Sequence, residues 1–211
     1  RAKLMVNLIT TNNLLRCIKN VRDAGDTNRP ISGYSEASIL VIFINNYDKD
    51  ESYILLTQRK NNLRQHAGQI AFPGGKKENE DKTLLETAVR ETEEEISLSK
   101  ENYNIIGNFP KFYTGTGYVV TPYIAMMKEL SNWKNSIKPN VEEVRKIFTP
   151  KSQQLLLPDY HIREKPPIKS SMSMTWRINY ENENIWGLTA RVLVTLSAGL
   201  GLREYPPCDD I

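Results

Sequence analysis

The sequence predicts an α/β protein in which a mixed β-sheet is covered by helices on both faces. Strand patterns alternate irregularly with helical patterns, and some neighbouring strands are joined only by short turns. This order favours hairpins beside parallel pairs, unlike the strict alternation of an all-parallel doubly wound fold. With 211 residues the chain suits one generous domain, and a second full domain would be cramped.

Several segments have the apolar, β-branched composition of strands, bounded by turn residues. They cover residues 38–44, 53–58, 69–72, 103–109, 119–127 and 172–180. Residues 45–50 are rich in turn formers and should join the first two strands. Residues 141–148 predict a short helix that leads into another strand.

Three segments have helical spacing: loosely residues 1–22, and more clearly residues 83–97 and 188–200. Thr83 is followed three residues later by Glu86, which is the pattern of a capping box and should begin the second helix. A polar, Pro-containing connector follows the first segment and extends to Gly33.

Composition and charge give no reason to expect a nucleic acid or a membrane as partner. Net charge is +3 and the basic residues are scattered. The longest apolar run, residues 37–44, is far too short to span a bilayer. Cys17 and Cys208 lie near opposite ends without metal-ligand spacing, which fits a reducing compartment. We therefore expect a cytoplasmic protein, although a targeting peptide upstream of Arg1 would not be visible.

Residues 83–97 predict an amphipathic helix with an acidic stripe. Glu91, Glu94 and Glu95 share the stripe because offsets of three and four residues bring side chains together, whereas Glu93 points away. Such crowding costs about a few tenths of a kcal/mol per like-charged pair. Bound Mg²⁺ or Mn²⁺ would remove this cost, since both prefer carboxylate oxygens; a plain solvated acidic face is the alternative. The apolar side of the helix should hold Leu84, Leu85, Ala88, Val89, Thr92 and Ile96.

The stretch GGKKENEDKTLLETAVRETEEEISL resembles the signature of the Nudix hydrolases. The residues that match in register are Arg90, Glu91, Glu94, Glu95 and Leu98. Thr92 and Ser97 depart from it, standing where an apolar residue and a glycine are usual. The spacing from Gly75 to Arg90 is also one residue longer, so that Asp81 takes the place of the upstream carboxylate.

This resemblance implies a Nudix α/β/α sandwich with a mixed sheet, in which Glu91, Glu94 and Glu95 bind Mg²⁺ or Mn²⁺. It also implies catalytic roles for Glu94 and for Arg90, which should pair with Asp81 or Glu86 and orient the helix. We expect an N-terminal helical segment and connector over residues 1–35, the Nudix domain over 36–203 and a tail over 204–211.

Residues 55–59 and 63–75 resemble the additional signature of the coenzyme A diphosphatase branch, most closely its bacterial members. Further matches lie at 116–118, 120–122, 143–144 and 186–190, so the resemblance covers about residues 37–200. It implies attack by metal-bound hydroxide on coenzyme A or its thioesters, giving 3′,5′-ADP and 4′-phosphopantetheine or its acyl form. The partner is then a small molecule, and a homodimer is compatible with it.

By the same resemblance, Arg59, Arg64 and His66 bind substrate or shape its site. Arginine suits phosphate because its rigid fork offers several donors; His66 could equally be a structural hydrogen-bonding residue. Gly74 and Gly75 let backbone approach the ligand, and Tyr118 could stack on the adenine.

Glu143 is a candidate additional metal ligand or general base, with an exposed helical glutamate as the alternative. Two other functions stay open: a Nudix hydrolase of another nucleoside diphosphate derivative, such as ADP-ribose or NADH, and a catalytically silent Nudix-fold binding module.

Overall fold

The computed structural model of the chain describes residues 7–24, 32–61, 68–128, 137–166, 174–181 and 183–206. The strands in these ranges are β1 (Ser35–Asn46), β2 (Glu51–Ile54), β3 (Leu56–Arg59), β4 (Ile70–Ala71), β5 (Gly74–Lys76), β6 (Tyr103–Asn108), β7 (Phe112–Tyr113), β8 (Tyr118–Met127), β9 (Val144–Phe148), β10 (His161–Glu164), β11 (Thr175–Tyr180) and β12 (Glu183–Trp186). The helices are α1 (Thr11–Asp23), α2 (Leu84–Ile96), α3 (Ser152–Leu156) and α4 (Gly187–Gly199). None of these helices is long and apolar enough to cross a membrane.

The central sheet is mixed, as predicted, and is built around β1. Its order is β2-β1-β8-β6, with β5 also paired to β1 and β7 to β8. β1 and β8 are parallel, whereas the other pairs are antiparallel. β2 and β5 share one edge of β1, so the segment that carries Gly74 and Gly75 lies directly against the central strand.

Both faces of β1 are buried, which explains its continuous apolar run. Leu40, Ile42 and Ile44 pack in one cluster with Ala88 and Ile96 of α2. The alternate residues Ile39, Val41 and Phe43 pack in the larger cluster with α1 and α4. Helices therefore cover both faces, and the predicted α/β/α sandwich is confirmed. Full burial of one such side chain contributes about 1.5–3 kcal/mol.

Two smaller sheets, β4-β3-β9 and β10-β11-β12, complete the fold. The prediction of a single strand over residues 53–58 is wrong, because the chain leaves the central sheet at Leu55. The amide of Leu55 still donates to the carbonyl of Ile42 at 3.0 Å, and β3 then pairs with β4 and β9. This change of sheet carries Arg59, the last residue of β3, away from β1 and toward α2.

Helices α2 and α4 lie within a residue or so of their predicted bounds. The first helical segment, predicted over residues 1–22, is helical only from Thr11 on; residues 7–10 are not helical and residues 1–6 lie outside the described ranges. Thr83 caps α2 through its hydroxyl, which accepts from the amide of Glu86 at 3.1 Å, while the Glu86 carboxylate accepts from the amide of Lys82. The helix expected to begin at residue 141 is a turn followed directly by β9. Of the strand predicted over 172–180, residues 172 and 173 lie outside the described ranges and β11 begins at Thr175.

Ser97 ends α2 in the left-handed conformation, with φ 56° and ψ 23°, and its amide donates to the carbonyl of Glu93 at 2.9 Å. This position is the one where the signature usually has glycine. The conformation costs a residue with a Cβ roughly 1–2 kcal/mol relative to the right-handed region. Ser97 is exposed, so its side chain gains no packing in return.

Replacing Ser97 with glycine should therefore stabilise the protein. We expect Ser97→Gly to raise the free energy of unfolding by about 0.5–1 kcal/mol, measured by urea denaturation, because glycine adopts positive φ without steric cost. Ser99→Gly is the matched control: Ser99 has φ −64° and its hydroxyl accepts from the amide of Glu101, so this change should lower stability. An unchanged or lower midpoint for Ser97→Gly would contradict the explanation.

Candidate active site

Helix α2 presents its acidic residues to two different environments. Glu95 is only 4% exposed, Glu91 is half-buried, and the Glu94 side chain is 55% exposed. The buried side of α2 holds Thr87, Ala88, Thr92, Glu95 and Ile96. Leu84, Leu85 and Val89, which we expected there, are only half-buried; Leu85 and Val89 line an open hollow on the outer side. The helix is thus rotated so that a carboxylate lies against the sheet.

Arg90 connects three carboxylates through one guanidinium group. Its Nε and Nη2 donate to the two carboxylate oxygens of Asp81 at 3.1 and 3.0 Å. Its Nη1 donates to Glu91 Oε1 at 3.1 Å and to Glu94 Oε2 at 2.9 Å. A further bond from Nη2 reaches the carbonyl of Lys76 at 3.2 Å. Of the two partners predicted for Arg90, the structure therefore shows Asp81.

Asp81 is a buried anchor for Arg90. Its Oδ2 also accepts from the amide of Glu78 at 2.9 Å and from the hydroxyl of Thr87 at 3.0 Å. The Arg90 guanidinium, with these added donors, holds the pKa of the Asp81 carboxyl well below its usual range. Sequence reasoning did not identify Thr87; its signal was a neutral hydroxyl residue one turn before Glu91 on the acidic stripe.

Arg59 serves a second group of carboxylates. Its Nη1 lies 3.4 Å from Glu95 Oε1 and 3.9 Å from Glu143 Oε2. The register of β3 against β9 shifts between Gln58 and Arg59, and such a bulge redirects a side chain. The structure thus brings together Arg59 from β3, Glu95 from α2 and Glu143 from the turn before β9. Arg59–Glu95 spans two elements distant in sequence, so local spacing could not reveal it.

Glu95 is held in an environment that disfavours its charge. Burial raises the pKa of its carboxyl to about 8, and the negative charges of Glu91 and Glu143 act in the same direction. Arg59 and a backbone hydrogen bond from Gly74 offset part of this effect. Burial likewise raises the pKa of Glu91, against the opposing influence of Arg90.

The glycine pair fits closely between β1 and α2. A Cβ on Gly74, where φ is +151°, would lie 2.3 Å from the carbonyl oxygen of Ser38. A Cβ on Gly75 would lie 2.3 Å from Glu91 Oε1. The absence of a side chain at Gly74 therefore lets the loop backbone lie against β1, and its absence at Gly75 leaves room for the Glu91 carboxylate.

The C-terminal end of α2 is tied to the segment that carries Glu143. The amides of Lys138 and Asn140 donate to the carbonyls of Ile96 and Glu95 at 2.9 and 2.8 Å. The Glu143 amide then donates to the carbonyl of Asn140, and the Glu143 carbonyl accepts from the amide of Lys60. These bonds satisfy helix carbonyls that would otherwise lack partners. They also fix the backbone of Glu143 relative to Glu95 and β3.

The remaining predicted site residues are placed less directly. Arg64 and His66 lie outside the described residues. Tyr118 begins β8, and its ring packs against the core cluster that contains α1 and α4. Its amide donates to the Thr114 hydroxyl at 3.0 Å, which closes a tight turn through Gly117 at φ +83°. Stacking of Tyr118 on adenine stays a prediction.

The side chains present fit a divalent cation in their chemistry. Glu91, Glu94, Glu95 and Glu143 supply hard carboxylate oxygens. Glu95 Oε2 is buried and lacks a hydrogen-bond partner among the described residues. Within those same ranges no three His, Cys, Asp or Glu side chains are already gathered as a metal-binding cluster. The carboxylates contact Arg59 and Arg90 instead, so the carboxylate side chains would have to reorient before an ion could bind.

Comparisons with known proteins identify the family. The profile of the NUDIX domain matches residues 35–169. The Nudix hydrolase NudL of Pectobacterium atrosepticum, described as uncharacterized, is 31% identical over 172 residues, covering 80% of this chain and 84% of NudL. NudL of Yersinia pestis strain Pestoides F is 36% identical over 148 residues, covering 69% and 71%. A Nudix hydrolase structure from M. smegmatis, RenU, aligns with TM-score 0.47 and 20% identity, over 61% of this chain and 78% of RenU.

The chain therefore belongs to the Nudix family of hydrolases. Members of this family act on nucleoside diphosphate derivatives and generally use divalent metal ions. The predicted superfamily is confirmed by the family match and by the NudL relatives.

If Glu91 binds the metal ion, as the sequence predicts, an added methyl group at Gly75 should weaken metal binding. We expect Gly75→Ala to weaken Mn²⁺ affinity roughly 10–100-fold, as for other residues that orient metal ligands, because the new Cβ displaces the Glu91 carboxylate. Calorimetric titration with Mn²⁺ measures the effect. Gly107→Ala is the control, because its Cβ meets only the flexible tip of Ile18 at 3.0 Å. Unchanged Mn²⁺ affinity in Gly75→Ala would show that Glu91 is not a ligand.

Proposed function

We propose that this Nudix hydrolase cleaves the diphosphate of coenzyme A and its thioesters, giving 3′,5′-ADP and 4′-phosphopantetheine or its acyl form. One observation carries the proposal. Arg59 is the last residue of the segment 55–59 that resembles the coenzyme A branch, and it lies 3.4 Å from Glu95 of the acidic helix. This contact between one residue that suggests the substrate and one that suggests the reaction supports the proposal.

The reaction forms a bond between a water oxygen and one phosphorus and breaks the anhydride bond to the bridging oxygen. Glu91, Glu94 and Glu95 would hold Mg²⁺ or Mn²⁺, which when bound neutralises phosphate charge and lowers the pKa of a coordinated water. We propose that Glu143, whose side chain is 46% exposed, accepts the proton of the attacking water. Arg90, anchored by Asp81, keeps Glu91 and Glu94 beside the glycine loop.

Substrate recognition would use the basic segment that begins at the site. Lys60 and Gly68 are joined by a backbone hydrogen bond of 3.3 Å, and Lys60 follows Arg59 directly. Arg64 and His66 lie between them in the sequence, and we propose that they bind the phosphates of coenzyme A. Gly74 and Gly75 would offer backbone to the diphosphate, and Tyr118 an aromatic face to the adenine.

A substrate panel tests the choice of coenzyme A. With saturating Mn²⁺, we expect kcat/KM for coenzyme A to exceed that for dephospho-coenzyme A and ADP-ribose by roughly 10–100-fold, the value of one or two charge-assisted contacts to the 3′-phosphate. Product analysis by chromatography should show 3′,5′-ADP. Preference for ADP-ribose or NADH would overturn the coenzyme A proposal and leave the hydrolase assignment intact.

Removing one carboxylate tests the metal assignment separately. We expect Glu95→Gln, and likewise Glu94→Gln, to lower kcat by at least about 100-fold, since each removes a ligand rather than a residue that orients one. Glu95→Gln should unfold at the same or a higher urea concentration, because the amide carries no charge to bury. Glu93→Gln, exposed on the same helix, is the matched control and should retain activity. Full turnover in Glu95→Gln would contradict the assignment of Glu95 as a metal ligand. No turnover in the unaltered protein would favour a catalytically silent binding module.

A further inference from the structure

The two arginines of the site are held very differently. Arg90 makes a two-bond contact with Asp81 and reaches a backbone carbonyl, so turning it would leave a buried carboxylate without its partner. Arg59 makes one long bond to Glu95, at 3.4 Å, and a still longer approach to Glu143, at 3.9 Å. A well-formed N–H···O bond between charged groups measures about 2.7–2.9 Å. Arg59 is therefore the weakly held cation.

Both members of the Arg59–Glu95 pair have unused hydrogen-bonding capacity. Arg59 Nε and Glu95 Oε2 are buried and have no partner among the described residues. A buried polar atom without a partner costs about 1–3 kcal/mol, more when the group is charged. A ligand that forms a hydrogen bond or a metal contact with either atom would therefore remove this cost.

We propose that Arg59 is an exchangeable counterion, which neutralises Glu95 and Glu143 in the metal-free enzyme and turns toward the substrate phosphate when a divalent ion takes its place. This inference rests on the assignment of Glu95 as a metal ligand in the proposed function. It gives Arg59 two successive partners, first a carboxylate and then a phosphate.

Electrostatics supply the reason for the exchange. Glu95 is only 4% exposed, and its Oε1 shares Arg59 Nη1 with Glu143 Oε2, at 3.4 and 3.9 Å, so the charged form of Glu95 depends on a nearby cation. A divalent ion carries twice the charge of a guanidinium and approaches carboxylate oxygen to about 2.0–2.1 Å for Mg²⁺. Two cations on one carboxylate repel each other, and the weakly held one moves. The bulge at Gln58/Arg59 lies at the end of β3, where the Arg59 side chain contacts Glu95 and the Arg59 amide donates to the Gln69 carbonyl at 2.9 Å.

The exchange links metal binding and phosphate binding through one residue. Metal binding must displace Arg59, so the arginine lowers metal affinity in the absence of substrate. A substrate phosphate that binds the displaced arginine favours the metal-bound arrangement, and by thermodynamic reciprocity the metal favours substrate to the same degree. A purely structural Arg59 would instead support both metal and substrate binding.

The test measures Mn²⁺ affinity without substrate, by calorimetry, in the full chain. We expect Arg59→Gln to bind Mn²⁺ at least about 10-fold more tightly than the unaltered protein, a shift within the usual range of coupling between sites. Arg177→Gln is the matched control, because Arg177 pairs at 2.8 Å with Glu164 on a separate sheet, and it should bind Mn²⁺ as the unaltered protein does. Equal or weaker Mn²⁺ binding by Arg59→Gln would overturn the inference.

Steady-state kinetics at saturating Mn²⁺ add a readout of opposite sign. Arg59→Gln should raise KM for coenzyme A at least about 10-fold, because the substrate phosphate loses a charged partner, while the Mn²⁺ affinity of the variant increases. Arg59→Lys keeps the charge and the fold but loses the fork, so its Mn²⁺ affinity should stay near that of the unaltered enzyme. If coenzyme A is not hydrolysed but Mn²⁺ binding follows this order, the substrate proposal fails and the counterion inference stands. If Glu95→Gln binds Mn²⁺ normally, both fail.

Discussion

The fork between Arg90 and Asp81 is the interaction on which the acidic site depends. Like charges on one helix face repel, and here one carboxylate is also buried against the sheet. Asp81 cancels part of this cost indirectly, by fixing the cation that contacts Glu91 and Glu94. The same guanidinium donates to the Lys76 carbonyl and so connects α2 to the end of β5, the strand that contains Gly74 and Gly75. A single guanidinium group thus holds Glu91 and Glu94 in position relative to Asp81 and to the backbone at Lys76.

Periodicity and composition predicted the fold class and most of its elements, because α2, α4, β1 and β8 have long, regular patterns. Elements defined by long-range pairing were missed. β5 is two glycines and a lysine, a composition that disfavours strands, yet it pairs with β1 because glycine is what the space allows. The two strands within residues 53–58 read as one because nothing local marks Leu55 as the place where the chain changes sheets.

The residues of the acidic helix were predictable from the sequence, whereas the contacts between that helix and distant segments were not. The spacing of Glu91, Glu94 and Glu95 and the Arg90–Asp81 pair follow from one helix and the loop before it. The contact of Arg59 with Glu95 depends on a β-bulge, and the attachment of the Glu143 segment depends on backbone amides at 138 and 140. Neither has a side-chain pattern that sequence reading could detect. Helical spacing also placed Leu85 and Val89 inward, whereas the side of α2 that is buried in the structure holds Thr87, Thr92 and Glu95, a choice that hydrophobicity within the helix does not determine.

The apolar character of both faces of β1 affects how the register of this strand is fixed. In most strands a one-residue slip would expose the core side, and that penalty fixes the register. A slip of β1 would cost much less burial of apolar surface, because both of its faces are apolar. Its register is set instead by contacts specific to single residues: the Ser38 hydroxyl donates to the Thr121 carbonyl at 3.0 Å, and the backbone at Ser38 and Ile39 admits nothing larger than Gly74. The segment that carries Gly74 and Gly75 thus also fixes the register of the central strand.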